Sequence, residues 1–392
     1  MYLTLRPGRK VIVIDEFQYM MMADDGILHR FQSLWDNLLS KHDVMLILCG
    51  SYMSMMRNVS NDAKSPLYQR NTADLVLRPL PFRDTVMGRG YREAVEAFSF
   101  TGRIPHYMTL MSPGRTPLES AKSLTMLPGS PLTSEPTYLF SGEFRNVGSY
   151  NTYLRTMAEG ASKIADIADR THSETGAVAP YLQKLMNIGA VVKNVPVTSD
   201  EESRNSLYRI SDHFLAFWFR FVHPFYNDIL RGEYDDAVAN LEEHFVDSHA
   251  AFVFEDVCRE ELKETLRHAG IAAKYGSYWD RSNEMDVAAL DRKTRTIYVG
   301  ECKFISRPVD ARIVGRLIDK CGETKEFDSL TVRPCVFSVS GFTQEAIDVA
   351  SEEDAILFQN GVPLKETPLG VIRIDQRDQN NRLSIIDSDY GI

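Results

Sequence analysis

Four side chains in the C-terminal part of the chain are of the types that phosphoryl chemistry uses: Glu255, Asp286, Glu301 and Lys303. Glu301 and Lys303 stand two apart in Thr296-Ile297-Tyr298-Val299-Gly300-Glu301-Cys302-Lys303-Phe304, an otherwise mostly apolar run that suits a buried strand. Strand residues alternate faces, so Ile297, Val299, Glu301 and Lys303 share one side and Tyr298, Cys302 and Phe304 the other. A carboxylate removed from water costs several kcal/mol unless it is paired or metal-bound. Such a pair is therefore either solvated on a surface or held for a reason, and metal-dependent phosphodiester cleavage is one such reason. Residues 283–290 read as a preceding strand, with Glu284, Asp286 and Ala288 on one face. A turn at 291–294 makes the two strands antiparallel, with Asp286 in cross-strand reach of Glu301 if the register allows. Residues 251–262 read as a helix that carries Glu255 and turns Phe254, Val257 and Cys258 inward.

A second group of candidates lies near the N-terminus. Val11-Ile12-Val13-Ile14-Asp15-Glu16-Phe17-Gln18 is an apolar run ending in acids, as expected of a parallel strand buried on both faces. Acids at the carboxyl end of such a strand sit where open α/β sheets place ligands. Asp15 could hold Mg2+ through water and Glu16 could polarise an attacking water, as in a Walker B segment. A second strand, residues 44–48, leads to Gly50 and Ser51. Ser51 is placed either to sense a γ-phosphate or to cap the following helix.

The middle of the chain changes character. Residues 113–135 are rich in turn formers and mark a boundary. Three short amphipathic helices follow (153–159, 163–170, 175–187), then two strands around a polar loop at 198–205. That order describes a winged helix. Between Asn151 and Lys193 there are five Lys/Arg against four acids. Phosphate contacts need donors, so this thin balance favours packing or protein contact over DNA readout. The aromatic run from Phe214 to Phe221 reads as core packing, and His213, His223, His244 and His249 lack metal-ligand spacing. Near the end, 313–320 and 344–351 read as helices, 331–338 as a strand, and 369–375 with 383–387 as a small hairpin.

Composition sets outer limits. The net charge of −10 excludes a molecule that is basic overall, so any nucleic-acid contact must be local. The five cysteines are scattered without a Cys-x-x-Cys pair, which points to reduced thiols in a cytoplasm and away from a structural zinc. No apolar run reaches the ~18 residues a membrane span needs, and the first residues lack a signal-peptide plan.

Two resemblances bring these readings together. Asp286, then Glu301-x-Lys303 fifteen residues on, with Trp279-Asp280 and Phe254-Glu255 before them, resembles the PD-(D/E)xK nuclease fold. The resemblance implies that Asp286 and Glu301 ligate Mg2+, that Glu255 completes the shell, and that Lys303 orients or deprotonates the water or neutralises the scissile phosphate. Cys302 is then a packing residue. The N-terminal part resembles archaeal-type ATPases of the AAA+/STAND group through Asp15-Glu16-Phe17-Gln18, Gly50-Ser51, Pro66-Leu67-Tyr68-Gln69-Arg70 and Gly102-Arg103-Ile104-Pro105. It implies that Arg70 reaches nucleotide phosphates and that Pro105 lies near the adenine; read alone, Arg70 suits an ordinary surface salt bridge. Domains in the same order occur in that family.

The expected architecture is therefore multidomain α/β. Residues 1–125 form a partial P-loop NTPase core with a helical lid, 136–225 a winged helix, and 240–392 a PD-(D/E)xK nuclease-like α/β domain. The expected function is Mg2+-dependent phosphodiester hydrolysis on DNA by a protein whose ATPase half is incomplete. The alternative is a regulatory or decayed scaffold that binds a protein partner through the winged helix, and oligomer formation is left open. The family's Gly-x-x-x-x-Gly-Lys-Ser/Thr loop, whose amides cradle phosphates, occurs nowhere in the 392 residues. It is expected upstream of Met1, so the chain is read as truncated within the ATPase domain. Residues 1–392 should then bind ATP poorly and hydrolyse it at background rate. Calorimetry checks this, and tight ATP binding would contradict it.

Overall fold

Two parallel strands need a crossover between them, and the N-terminal sequence supplies one from helices. In the computed structural model, which describes residues 8–144 and 147–364, β1 (Lys10–Ile14) pairs with β2 (Val44–Leu48) in parallel. Helices α1 (Phe17–Ala23) and α2 (Ile27–Asn37) connect them, and α3 (Met53–Asn61) follows. The hairpin expected within 369–387 lies outside the described residues.

The chain falls into two compact units that do not follow sequence order. Of the described residues, the first holds those up to Arg78 with 136–144, 147–148 and 183–188; the second holds 79–135, 149–182 and 189–364. In the first unit, Phe17, Phe31 and Val59 form the core together with Ile14, Leu46, Leu48 and Met56. Phe17 and Phe31 meet edge to face, with centroids 5.1 Å apart. Burial on both strand faces does not hold here. Val11, Val13 and Met45 are 57%, 57% and 51% exposed, because the helices pack on the opposite side, against Ile14, Leu46 and Leu48.

The second unit is built on a six-stranded mixed sheet in the order β10-β9-β8-β7-β6-β5. Its strands are β5 (Lys274–Trp279), β6 (Glu284–Asp291), β7 (Thr296–Lys303), β8 (Thr331–Ser338), β9 (Ile356–Gln359) and β10 (Val362–Pro363). β6 runs antiparallel to β5 and β7, whereas β7, β8 and β9 are parallel. The parallel strands are apolar on both faces because both are covered. On one side α8 (Ala251–His268; earlier helices of this unit are described below) lays Phe254, Val257, Leu262 and Leu266 over Val287, Ala289, Tyr298 and Phe337. On the other, α9 (Ala311–Glu323) and α10 (Gln344–Glu352) bring Val314, Leu317, Ala346 and Ala350 onto Ile297, Val299, Val336 and Leu357. Gly300 is required in β7: a Cβ there would stand 2.9 Å from the Phe337 ring.

The same unit contains α4 (Tyr91–Thr101) and α6 (Ile164–Arg170). Helices α5 (Val147–Ala158) and α7 (Thr175–Asn187) each have residues in both units. After them comes an antiparallel pair, β3 (Val191–Asn194) and β4 (Leu207–Ile210). The loop between β3 and β4 lies along β5, the edge strand. Val197 N donates to Ser277 O at 2.9 Å, and Trp279 Nε1 donates to Asn205 Oδ1 at 3.0 Å. Covering an edge strand removes a template for unwanted pairing. Phe214, Phe217, Trp218, Phe219 and Phe221 are no more than 2% exposed, and Trp218 Nε1 donates to Thr133 O at 2.8 Å, so this aromatic run is core. Among the described residues no helix is long and apolar enough to cross a membrane.

His249 is buried in this core and its Nε2 donates to Ser99 O at 2.7 Å. Burial pushes its pKa down to about 3, helped by His213 and Arg220 nearby and opposed by the Ser99 bond. The unfolded chain therefore takes up this proton first, at a pKa near 6.5. The sign follows: stability is complete above that value and falls as pH drops below it. Between pH 6.5 and 5 the loss should approach about 2 kcal/mol. Denaturant titrations at both pH values should show a smaller acid loss in His249→Gln, which keeps a donor for Ser99. Equal losses in the two proteins would contradict the assignment.

Candidate functional site

Four elements of the second unit converge on the carboxyl end of β7. Its last residues carry Glu301 and Lys303, with the Lys303 Nζ 2.6 Å from Glu301 Oε1. Helix α9 adds Lys320, whose Nζ lies 3.1 Å from Glu301 Oε2 and 3.2 Å from the Glu284 carbonyl. Strand β6 brings Asp286, and α8 brings Glu255.

Asp286 is delivered by an irregularity. Gly276 faces Ala288 and Tyr278 faces Met285, so two steps along β5 match three along β6. The bulge interrupts simple alternation: Met285 and Ala288 join one core cluster and Val287 the other. Glu284, Asp286 and Ala288 therefore do not form a plain single-face row, and bulges of this kind re-aim side chains. On β7 the neighbouring register pairs Val287 with Gly300. The Asp286 carboxylate accepts from Cys302 N at 2.8 Å, which ties it across to β7.

The electrostatics set these carboxylates apart from ordinary surface acids. Burial raises the Asp286 pKa to about 6, with the Glu301 charge adding to it and the Cys302 amide opposing. Glu255 is pushed up to about 8 by burial and by Asp286. Burial works in the same direction on Glu301, but Lys303 and Lys320 together hold it below its usual value. Asp286 thus feels the charge of Glu255 on one side and of Glu301, which is already paired, on the other.

Behind the site stands a charged support. Asp256, next to Glu255, is buried and receives Arg209 Nη1 at 2.6 Å, His213 Nε2 at 3.0 Å and the Arg259 guanidinium. Burial alone would raise the Asp256 pKa, but Arg209, His213 and Arg259 hold it well below its usual value. Arg259 also donates to Gly276 O at 3.1 Å, Ser277 Oγ at 3.0 Å and Asp286 O at 3.1 Å. It therefore fastens α8 to β5 and to the backbone of the bulge.

Lys320 and Arg259 were not singled out from sequence. Lys320 borders the α9 stripe Val314–Leu317–Cys321, so its place beside the apolar face was the available signal. Arg259 follows Glu255 by four residues on α8, one helical turn, but nothing in the sequence identifies the backbone carbonyls it meets.

In the first unit, the structure gathers Asp15, Glu16, Gln18 and Ser51 at the carboxyl ends of β1 and β2. Glu16 adopts a left-handed backbone conformation (φ 51°), and its amide donates to Asp15 Oδ1 at 3.0 Å. Ser51 Oγ donates to Glu16 Oε2 at 3.0 Å and accepts from Gln18 Nε2 at 3.0 Å. The N-cap position of α3 is Tyr52, one residue after Ser51, and it makes no side-chain capping bond among the described residues. Arg70 is held by Asp36 through two bonds, 3.0 and 2.9 Å, and by the Pro66 carbonyl at 3.0 Å. That is the salt-bridge geometry of the simpler reading. Pro105 starts a short helix, Pro105–Thr109, in the second unit.

Among the described residues, no three His, Cys, Asp or Glu side chains form a ready metal cage. The donor set still fits Mg2+, which is typically held by one or two carboxylates together with waters and substrate phosphates. Asp286 and Glu301 provide that number, and a cation would offset both the burial that raises the Asp286 pKa and the Glu301 charge that adds to it.

A family model, DUF234, described as archaeal and bacterial proteins of unknown function, matches residues 218–314. That span contains Glu255, Asp286, Glu301 and Lys303 and stops before Lys320. An uncharacterized protein of Methanocaldococcus jannaschii is 30% identical over 304 residues, which are 75% of this chain and 67% of that protein. A Walker-type ATPase of Pyrococcus abyssi overlaps 54% of this chain and 63% of its own, at 22% identity and TM-score 0.40. A repair endonuclease from Pyrococcus abyssi overlaps 26% of this chain and 44% of its own, at 19% identity and TM-score 0.19. Overlaps this loose leave the chemistry to be read from the residues themselves.

Proposed function

The chain belongs to the same family as the uncharacterized Methanocaldococcus jannaschii protein, and we propose that it hydrolyses phosphodiester bonds in DNA at the Asp286–Glu301–Lys303 site with Mg2+. The observation that carries this reading is the gathering of Glu255, Asp286 and Glu301, half-buried, with Lys303 2.6 Å from Glu301. Asp286 and Glu301 would hold the cation, and Glu255 lies close enough to feel the Asp286 charge. When bound, Mg2+ would supply an activated water and neutralise charge developing on the phosphate. Lys303, freed from Glu301, would donate to a phosphate oxygen or orient the attacking water. The Cys302 amide and Arg259 keep Asp286 in place through its carboxylate and its carbonyl. The bulge and the two backbone anchors support pre-organisation over chance clustering.

The middle helices with β3 and β4 act in this reading as a winged-helix support. Their loop is engaged with β5, and their charge balance is thin, which favours a structural role over base reading. In the first unit, Asp15, Glu16 and Ser51 are the candidate nucleotide-facing residues of an AAA+/STAND-type core. Arg70 is committed to Asp36 there and is not assigned to phosphate.

Asp286→Ala and Lys303→Ala should each lower Mg2+-dependent cleavage of plasmid and single-stranded DNA by about 100-fold or more, the scale of lost electrostatic stabilisation. Their melting temperatures should stay close to wild type, since Asp286→Ala removes a repelling carboxylate and Glu301 keeps Lys320 in Lys303→Ala. Nicking at the wild-type rate in both variants would overturn the assignment.

A further inference from the structure

We propose that Lys320 on α9 is a second phosphate-binding cation of this site, contacting a non-bridging oxygen of the scissile phosphodiester. The proposal rests on the phosphodiesterase reading above and adds a residue that lies beyond the span matched by the family model.

The geometry comes first. Glu301 has an ammonium on each oxygen, Lys303 at 2.6 Å on Oε1 and Lys320 at 3.1 Å on Oε2. A carboxylate has about four lone-pair sites, so Mg2+ can join Glu301 beside the lysines, but the cation competes with both ammoniums for the same charge and favours release of one of them. Lys320 would stay in position after release, because its Nζ also donates to the Glu284 carbonyl at 3.2 Å. An ammonium has three donors and no acceptor. Bonds to Glu301 and Glu284 use two of them, and release adds one more for an incoming anion. The Lys320 side chain is 35% exposed and that of Lys303 27%, so both ammoniums remain reachable from solvent.

Local charge agrees with an anionic ligand. From Lys303 to Lys320 there are five cations (Lys303, Arg307, Arg312, Arg316, Lys320) against two acids, Asp310 and Asp319, in a chain whose net charge is −10. Arg316 lies one helical turn before Lys320; it is exposed and has no ion-pair partner among the described residues. A phosphate chain entering along α9 would meet Arg316 and then Lys320. The competing explanation is that Lys320 is only the counter-ion of Glu301. The two differ in what happens once a cation has replaced the lysines: a counter-ion then becomes dispensable, whereas a phosphate ligand does not.

The test uses the full chain and two variants. Lys320→Met removes charge and donors; Lys320→Gln removes charge but keeps a donor for the Glu284 carbonyl. Binding of a short labelled DNA duplex is followed by anisotropy over a range of NaCl concentrations, with Ca2+ in place of Mg2+. Cleavage is followed separately at saturating Mg2+ and DNA. Both variants should bind about tenfold more weakly, with the salt slope reduced by about 0.9, one phosphate contact. Cleavage should fall by about 100-fold even at saturating Mg2+. If Lys320→Met does not fold, Lys320→Gln decides alone. Wild-type affinity, slope and rate in a folded variant would overturn the role of Lys320 while leaving the phosphodiesterase reading standing. A wild-type chain that neither binds the duplex nor cleaves it would instead overturn that reading, and the Lys320 role with it.

Discussion

The second unit is organised around the cost of half-burying Asp286 between two other carboxylates, Glu255 and Glu301. Glu255, Asp286 and Glu301 all suffer desolvation at the end of β7, and two of them are pushed well above their ordinary pKa values. Like charges in a dry pocket are unfavourable unless something positive joins them. Two lysines pair directly with Glu301, whereas Arg259 and Arg209 near Glu255, and Lys303 and Lys320 near Asp286, only partly offset the burial of those two. A fold selected only for stability would fill such a pocket with apolar side chains. Sites that hold perturbed acids beside a cationic partner are functional candidates for that reason.

The surroundings hold the repelling groups rigidly. Asp256 and His213 are buried, Arg209 and Arg259 reach Asp256 from its partly exposed side, and Arg259 also reaches the backbone of the β6 bulge. Because Arg209 comes from β4, the hairpin that follows the middle helices contributes directly to the platform under Glu255. The loop lying along β5 reinforces the same connection.

Much of this was legible from side-chain pattern. The apolar run with Glu301 and Lys303 set into it, the antiparallel strand carrying Asp286 and the helix carrying Glu255 all follow from periodicity of two and of 3.6. Periodicity could not reveal the bulge at Asp286, because a register shift depends on the partner strand. Lys320 was hidden for a related reason: its place beside Glu301 comes from the packing of α9 against β7, which is a tertiary fact. In the first unit the parallel strands and the acids at their ends were legible. The open face at Val11, Val13 and Met45 was not, since an apolar run looks the same whether one face or both are covered. For Arg70, the sequence left phosphate and salt bridge open, and the position of Asp36 on α2 favours the latter.

The central claim is that the repelling carboxylates await a divalent cation, and thermal melting of the full chain against Mg2+ addresses it most directly. A cation that binds only the folded state adds about 2.7 kcal/mol of stability at 100 times its dissociation constant. The account predicts a saturable rise in melting temperature with MgCl2, beyond that of NaCl at equal ionic strength, and its loss in Asp286→Ala. A melting temperature that responds to MgCl2 only as it does to NaCl, or a rise that persists unchanged in Asp286→Ala, would contradict it.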